Sequence, residues 1–369
     1  MHHRYYYLLC LLWGYTTYAE PFFQKPEDAN SVLQFTEFGK SVIHCLNLRA
    51  NITPTEFVKF CQNRIPDDQY DIWDNQNYNP EINCSPEDLY DLLKRSQWID
   101  EKRLPFTEHF DCILIMGGII PGMRDRIYLV LNSFRKSQIK GEPKVCFLTS
   151  NRLLKNYDGK GFIQELQEHE QQEPKPQELK HGPTESIAGR YLWEGIFPSR
   201  FKCEFINTTL YAHDGVTTQN VGTKEVITSW INWFKSQKDS RHWKILLVGS
   251  QPWAHHQYLT CKYLLLLHFP EFFNNKEISN SHGVLDFIGI GAPSLYMQKE
   301  ARRSEGFKIN ILWHSIALTV CMEKEVFELE KSLMAPSGPS PLSSGLKEPP
   351  SSPATAPMVP AGPSSSDIK

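Results

Sequence analysis

Short apolar runs alternate with amphipathic segments along the chain from about residue 105 to residue 331. Each run is rich in aliphatic residues, Phe and Cys and ends in glycine or small polar residues, which is typical of buried strands. Strands that alternate with helices build parallel sheets. The predicted strands are Cys112–Met116, Lys144–Thr149, Cys203–Asn207, Lys244–Val248 and Val284–Ile290.

The segments between these runs carry apolar residues at helical spacing, as in Val226, Ile227, Trp230 and Ile231. The pattern therefore predicts an α/β fold with a doubly wound, mainly parallel sheet of about five strands. The predicted helices are Arg124–Ser137, Glu185–Trp193, Asn220–Phe234, Ala254–Leu267 and Ile311–Leu329.

We place the α/β domain at residues 105–331. Two segments outside this domain and one insertion within it have a different composition. Residues 20–104 favour helices, because Thr53-Pro54-Thr55-Glu56 and Ser85-Pro86-Glu87-Asp88 each combine a hydroxyl cap, a first-turn proline and an acid. Residues 159–183 are rich in Gln, Glu, Lys and Pro, which predicts a mobile insertion. Residues 332–369 are rich in Pro, Ser and Ala, which predicts a disordered tail.

Residues 1–19 have the pattern of a signal peptide. Basic residues precede an apolar run from Tyr5 to Trp13, and Thr17 and Ala19 have the spacing of a cleavage site. We expect cleavage after Ala19 and export to the periplasm or the medium. The run is shorter than the roughly 20 residues that span a bilayer. The alternative is an uncleaved segment that associates with a membrane.

Charge and cysteine spacing exclude two classes of protein. The formal net charge of −3 makes nucleic acid an unexpected partner. The cysteines are scattered and form no CxxC pair of the kind that binds zinc.

Polar and glycine residues follow four successive predicted strands. Ligands of open parallel sheets bind beyond the carboxyl ends of the strands, near the point where strand order reverses. These residues are therefore the candidates for ligand binding, although each one alone also fits an ordinary turn or loop. The strand-end candidates are Gly117, Gly118, Ser150, Asn151, Thr217, Asn220 and Ser250.

Four further residues could supply charge or proton transfer at that edge. The guanidinium groups of Arg124 and Arg126 match phosphate or carboxylate, unless they lie on a solvated helix face. Glu185 could act as a general base or bind a hydroxyl, although the helix dipole also favours an acid in a first turn. His256 is the candidate for a second catalytic residue.

Histidines near this edge raise the question of a metal. His213-Asp214 and His255-His256 offer imidazole and carboxylate ligands that suit zinc. Adjacent histidines on a helix point in different directions, however, so both rarely bind one ion. We predict no metal at this site.

The order of these elements resembles the SanA/YdcF-like proteins of the DUF218 type, over about residues 111–267. The resemblance implies a Rossmann-like fold and a place in the bacterial cell envelope. It also implies binding of S-adenosylmethionine, a cofactor that an exported chain would rarely meet, so the cofactor stays unknown. The matching positions are Ile113–Gly118, Arg124, Arg126, Val145–Ser150, Glu185, Thr217–Asn220 and Ile245–Ser250.

The chain departs from the family pattern at two places. In the family, a His is followed three residues later by an Arg. The corresponding positions of this chain are Trp253 to His256, so that His256 would substitute for the basic Arg. Ser150-Asn151 stand where Gly-Gly is common.

Two functions are compatible with these residues. The first is an exported protein that binds an anionic small molecule, phosphate-containing or nucleotide-like, and acts as a transferase or hydrolase in envelope metabolism. The alternative is a non-enzymatic secreted interaction protein or host-directed factor, in which the helical N-terminal region and aromatic surface matter more. Whether the protein is an enzyme stays open.

Overall fold

The computed structural model describes residues 20–65, 85–99, 104, 107–154, 184–198, 201–209, 221–237, 243–270, 285–292 and 305–335. The chain divides into two compact units, Met1–Met334 and Ala335–Lys369, and the fold lies in the first. The predicted signal peptide, the predicted insertion and the tail after Ala335 lie outside the described residues. Of the helices that the structure describes, none has the length and apolar character to span a bilayer.

A five-stranded parallel sheet forms the centre of the fold. A separate two-stranded sheet joins β1 (Glu108–His109) to β3 (Ile139–Lys140). All five predicted strands are confirmed, with ends that differ by at most two residues. The strands of the large sheet are β2 (Cys112–Met116), β4 (Lys144–Ser150), β5 (Cys203–Thr208), β6 (Trp243–Ser250) and β7 (Leu285–Ala292).

The strand order is β5-β4-β2-β6-β7, so the chain starts in the middle of the sheet. It builds one half through β4 and β5, then returns to the other side of β2 for β6 and β7. The order therefore reverses between β2 and β6, which is the switch point of a doubly wound sheet. The prediction of a Rossmann-like α/β fold is confirmed.

Helices cover both faces of the sheet. On one face, α4 (Ile120–Arg135) and α5 (Glu185–Ile196) pack against the odd-numbered residues of β2. On the other face, α6 (Thr223–Ser236) and α7 (Ala254–His268) pack against its even-numbered residues. Every residue of β2 is buried, as expected of a central parallel strand.

Some helices begin earlier or later than the sequence predicts. The helix expected from Arg124 starts at Ile120, because Pro121 occupies the first turn, where its missing N–H costs nothing. The helix expected from Asn220 starts at Thr223, after Gly222 at the N-cap.

The N-terminal region contributes three described helices, α1 (Glu37–Cys45), α2 (Pro54–Gln62) and α3 (Pro86–Arg95). Both predicted helix starts are confirmed. The Thr53 hydroxyl accepts from the Glu56 N–H at 3.2 Å, and the Glu56 carboxylate accepts from the Thr53 N–H at 2.8 Å. The Ser85 hydroxyl caps α3 in the same position.

These helices share a core with the last helix, α8 (Glu305–Met334). Phe22 lies at its centre, fully buried, with its ring 5.0 Å from that of Phe38 and 5.3 Å from that of Trp98. The backbone N–H groups of Phe22 and Phe23 donate to Glu323 Oε2 of α8 at 2.8 and 3.0 Å. The segment that begins at Glu20 is thus part of the folded core.

Replacing Phe22 should show how much this segment contributes to stability. We expect Phe22→Ala to lower the free energy of unfolding by about 3–5 kcal/mol, because it leaves a cavity among aromatic rings. Val32→Ala, in the same segment but with 72% of Val32 exposed, should change it by less than about 0.5 kcal/mol. Urea unfolding of both variants measures the difference, and equal stabilities would show that the segment does not support the core.

Candidate functional site

The turn between β2 and α4 lies at the switch point. Gly118 has φ +138°, in the region that favours glycine. A Cβ on Gly117 would lie 2.6 Å from the Leu148 carbonyl oxygen and closer still to Glu185 Oε1. Both glycines are therefore required by the local geometry, and the backbone passes close to its neighbours here.

The start of α4 has no side-chain cap among the described residues. Ile119 occupies the N-cap and cannot accept a hydrogen bond through its side chain. Described side chains do cap α1, α2, α3 and α5, through Thr36, Thr53, Ser85 and Thr184. The first-turn N–H groups of α4 thus lack the side-chain acceptor that those four helices have.

The Arg126 side chain is buried at the switch point, between the ends of β2 and β6. Its Nε donates to Ser250 Oγ at 2.7 Å. Its Nη1 donates to the carbonyl oxygens of Met116 and Gly117. The guanidinium therefore joins the two strands at which the order of the sheet reverses.

The third guanidinium nitrogen, Nη2, faces the start of α4. It lies 3.5 Å from the position of a Cβ on Gly122, and Ser250 Oγ lies 3.6 Å from that position. None of the hydrogen bonds that Arg126 makes within the described part of the chain uses Nη2. Only 5% of Arg126 is exposed.

Burial lowers the pKa of Arg126 to about 10, while the charges of Glu185 and Asp125 act in the opposite direction. The guanidinium therefore keeps its positive charge at neutral pH. A buried cation with one nitrogen directed at a helix start is an arrangement that an anion can complete.

Glu185, at the start of α5, is held by three hydrogen bonds. Arg152 Nε donates to Oε2 at 2.7 Å, the Ser150 hydroxyl donates to Oε2 at 3.2 Å, and the Ser150 N–H donates to Oε1 at 3.3 Å. About 6% of each side chain of the Arg152–Glu185 pair is exposed. A carboxylate held in this way fixes the end of β4 to the start of α5. Its predicted role as a general base stays a prediction.

The predicted site residues fall into several places. Six of them come together at the ends of β2, β4 and β6, namely Gly117, Gly118, Arg126, Ser150, Glu185 and Ser250. Arg124 is exposed on α4. Asn151 donates to Thr209 Oγ1 at 2.6 Å and accepts from Asn207, and so ties β4 to β5. Thr217 and Asn220 lie outside the described residues.

His256 lies on α7 and faces α8, where the Leu318 backbone hydrogen-bonds to it. Burial and the neighbouring His255 lower its pKa to about 4. The ring is therefore neutral at pH 7, unlike the arginine for which we expected it to substitute. No described contact joins His256 to Glu185 or Arg126, so its predicted catalytic role gains no geometric support.

Sequence reasoning missed Arg152. The signal was present, because Arg152 follows the polar end of β4 and Glu185 opens the next helix. Only the fold shows that the two residues meet.

Within the described ranges, no group of three His, Cys, Asp or Glu side chains could hold a metal ion. His213 and Asp214, the other half of the zinc arrangement that we considered, are outside those ranges.

Comparison with known proteins adds no relative. A scan against protein-family models finds no match, and searches of the curated proteins and of the solved structures find none either. The resemblance to the SanA/YdcF-like proteins stays a prediction.

A pair of glycine variants tests the geometry of the turn. We expect Gly117→Ala to lower the free energy of unfolding by about 1–3 kcal/mol, because its Cβ would collide with the Leu148 carbonyl oxygen and Glu185. Gly122→Ala is the control, since its Cβ would meet its neighbours at an ordinary 3.5–3.6 Å. Thermal or urea unfolding compares the two, and a Gly117→Ala variant as stable as Gly122→Ala would contradict this geometry.

The buried Arg152–Glu185 pair can be tested by removing one partner or both. Arg152→Met should cost about 3–5 kcal/mol, because the Glu185 carboxylate would stay buried without its cation. Adding Glu185→Leu should restore part of that loss, since it removes the uncompensated carboxylate but also takes from the buried Arg126 a charge that favours it. Urea unfolding of the single and double variants gives the coupling, and additive losses would show that the two charges act independently.

Proposed function

We propose that this protein binds an anionic small molecule, with a phosphate group at the carboxyl ends of β2 and β6. The observation that carries the proposal is the Nη2 group of the buried Arg126, directed at the start of α4. The bound oxygen atoms would lie between this guanidinium and the first turn of the helix.

Electrostatics favours an anion at this position. The N–H groups of a first helical turn carry partial positive charge and hydrogen-bond readily to phosphate oxygens. Because no described side chain caps α4, the N–H groups of Ile120 and Gly122 are left for a ligand, whereas Pro121 has no N–H and the Met123 N–H donates to the Ile119 carbonyl oxygen. Arg126 adds a full positive charge in a setting where burial limits screening by water.

Steric openness also favours a ligand. Gly118 and Gly122 present no side chain at the turn, so a phosphate can approach the backbone closely. The same position at the switch point of other doubly wound sheets takes nucleotide phosphates. A phosphate-containing or nucleotide-like compound is therefore the class of ligand that we propose.

The geometry supports binding more directly than it supports a reaction. Transfer or hydrolysis would need a proton acceptor, and Glu185 already accepts three hydrogen bonds. The proposed setting is the cell envelope or the medium, which rests on the signal peptide that the first residues predict. The alternative of a secreted interaction protein becomes the better explanation if no anion binds.

A charge placed at Gly122 gives a sharp test. Gly122→Asp would set a carboxylate between the first-turn N–H groups, Arg126 Nη2 and Ser250, where it would mimic the bound phosphate. An acid in the first turn also stabilises a helix by about 0.3–1 kcal/mol. We expect this variant to fold at least as well as the wild type and to bind no phosphate.

The measurement is a thermal-shift and calorimetric series with inorganic phosphate, pyrophosphate, nucleoside monophosphates and sugar phosphates. At about 100 times Kd, a ligand should stabilise the wild type by about 2.7 kcal/mol. Arg135→Gln, which removes an exposed charge at the far end of α4, is the control and should keep this stabilisation. No stabilisation of the wild type by any of these compounds, or equal binding by Gly122→Asp, would overturn the proposal.

A further inference from the structure

The side-chain polar atoms nearest the proposed phosphate position can all donate hydrogen bonds. Among the described residues, the point where a Cβ on Gly118 would stand has two heavy atoms within 4 Å apart from its chain neighbours. Both are guanidinium nitrogens of Arg126, at 3.5 and 3.6 Å. The corresponding point on Gly122 lies 3.5 Å from Arg126 Nη2 and 3.6 Å from Ser250 Oγ. A guanidinium has no acceptor atom, so it can only donate to a bound group.

The Ser250 hydroxyl has its hydrogen left for a ligand. Its oxygen accepts from Arg126 Nε at 2.7 Å, and 6% of Ser250 is exposed. No hydrogen bond within the described ranges uses the hydroxyl hydrogen. Because a serine hydroxyl has one hydrogen and Arg126 already occupies a lone pair, the hydroxyl acts as a donor toward a bound oxygen.

The first turn of α4 adds backbone donors. The N–H groups of Ile120 and Gly122 have no side-chain acceptor among the described residues. A backbone N–H can donate a hydrogen bond but cannot accept one. A ligand at this position would therefore meet a set of donors, which are Arg126 Nη2, the Ser250 hydroxyl and the N–H groups of Ile120 and Gly122.

The acceptor atoms that contact this part of the fold are engaged by other donors. The carbonyl oxygens of Met116 and Gly117 accept from Arg126 Nη1. The Glu185 carboxylate accepts three hydrogen bonds, from Arg152 and from the end of β4. A proton carried by a ligand would therefore meet donors and occupied acceptors, and its hydrogen bond would be lost.

The charges around Arg126 favour a ligand with a single negative charge. The carboxylates of Glu185 and Asp125 both act on the Arg126 guanidinium. Glu185 is also paired with Arg152 at 2.7 Å, with about 6% of each side chain exposed. The two arginine charges are thus matched by the two carboxylates before any ligand binds. A second negative charge on the ligand would be repelled by these carboxylates, in a region where burial limits screening.

We propose that this site prefers a phosphodiester, a phosphate group that carries one negative charge and no proton. The preference rests on the proposed binding of a phosphate at β2 and β6 and specifies its chemical class. A diester directs its charged oxygens at the donors and requires no acceptor. The natural ligand is then a compound in which the phosphate joins two organic groups, rather than one with a terminal phosphate.

A phosphomonoester is disfavoured in each of its two ionic forms. It carries a charge of about −1.5 to −2 near pH 7, so both forms are present. The dianion brings a second negative charge close to Asp125 and Glu185. The monoanion keeps an O–H that finds no free acceptor, and a buried group that loses its hydrogen bond weakens binding by about tenfold.

The experiment compares monoesters with matched diesters on the full chain at pH 7.5. The two pairs are methyl phosphate with dimethyl phosphate, and adenosine monophosphate with its methyl ester on the phosphate. In each pair the added methyl group removes the ionisable oxygen and leaves the rest of the ligand unchanged. Thermal shift at rising ligand concentration gives the affinities. We expect each diester to bind at least about tenfold more tightly than its monoester.

Two variants separate the local charge from the overall charge. Asp125→Asn removes one carboxylate beside Arg126 and should reduce the preference for the diester by about threefold, because the dianion gains more than the monoanion. Glu142→Gln is the control, since it removes an exposed acid just before β4, at the opposite edge of the sheet, and should keep the preference. Gly122→Asp, which fills the site, should bind neither ester.

The outcomes distinguish the preference from the site on which it rests. Equal affinities within both pairs, or tighter binding of the monoesters, would overturn the preference and leave the phosphate site in place. Binding of none of the four esters would contradict the phosphate site itself. Equal loss of the preference in Glu142→Gln and Asp125→Asn would assign it to the overall charge and overturn the local explanation. If Asp125→Asn does not fold, the two wild-type pairs still decide.

Discussion

The hydrogen bonds of the Arg126 guanidinium tie α4 to both halves of this fold at the point where they meet. A doubly wound sheet is built outward from its middle strand, and the backbone ladder between β2 and β6 pairs residues as far as Ile115 and Val248. Beyond that ladder, Arg126 links the strand ends from α4, by binding two carbonyl oxygens at the end of β2 and the hydroxyl at the end of β6. This one side chain therefore holds α4, the glycine turn and the end of β6 together.

Two different solutions to the burial of polar groups occur in the molecule. At the strand ends, Arg152 and Glu185 stay charged and satisfy each other, which fixes geometry and makes the loss of either partner costly. Between α7 and α8, His256 and His314 avoid a charge by staying neutral, because burial lowers the pKa of each ring. The first solution suits a rigid site, and the second allows imidazole rings to lie inside a packed interface.

Much of the fold could be predicted because it follows from local patterns. The strands are continuous apolar runs, and Thr53 and Ser85 cap the starts of α2 and α3 through hydrogen bonds to residues three positions later in the sequence. The site was harder, because its contacts join residues that are distant in sequence. Arg126 and Ser250 are 124 residues apart, and no periodicity indicates that they meet. The burial of His256 was equally hard to predict, because neighbouring positions on one helix face different surroundings and the packing of α8 decides which position is buried.

The contact between Phe22 and Glu323 also constrains when the chain can fold. Its partners are separated by 301 residues, so the first described segment completes its packing only after the last helix has been made. A nascent chain can form the sheet and its covering helices earlier, because those contacts close over shorter loops. The aromatic side chains around Phe22 become fully packed only when α8 is present. During synthesis they form an exposed apolar surface until α8 packs against it.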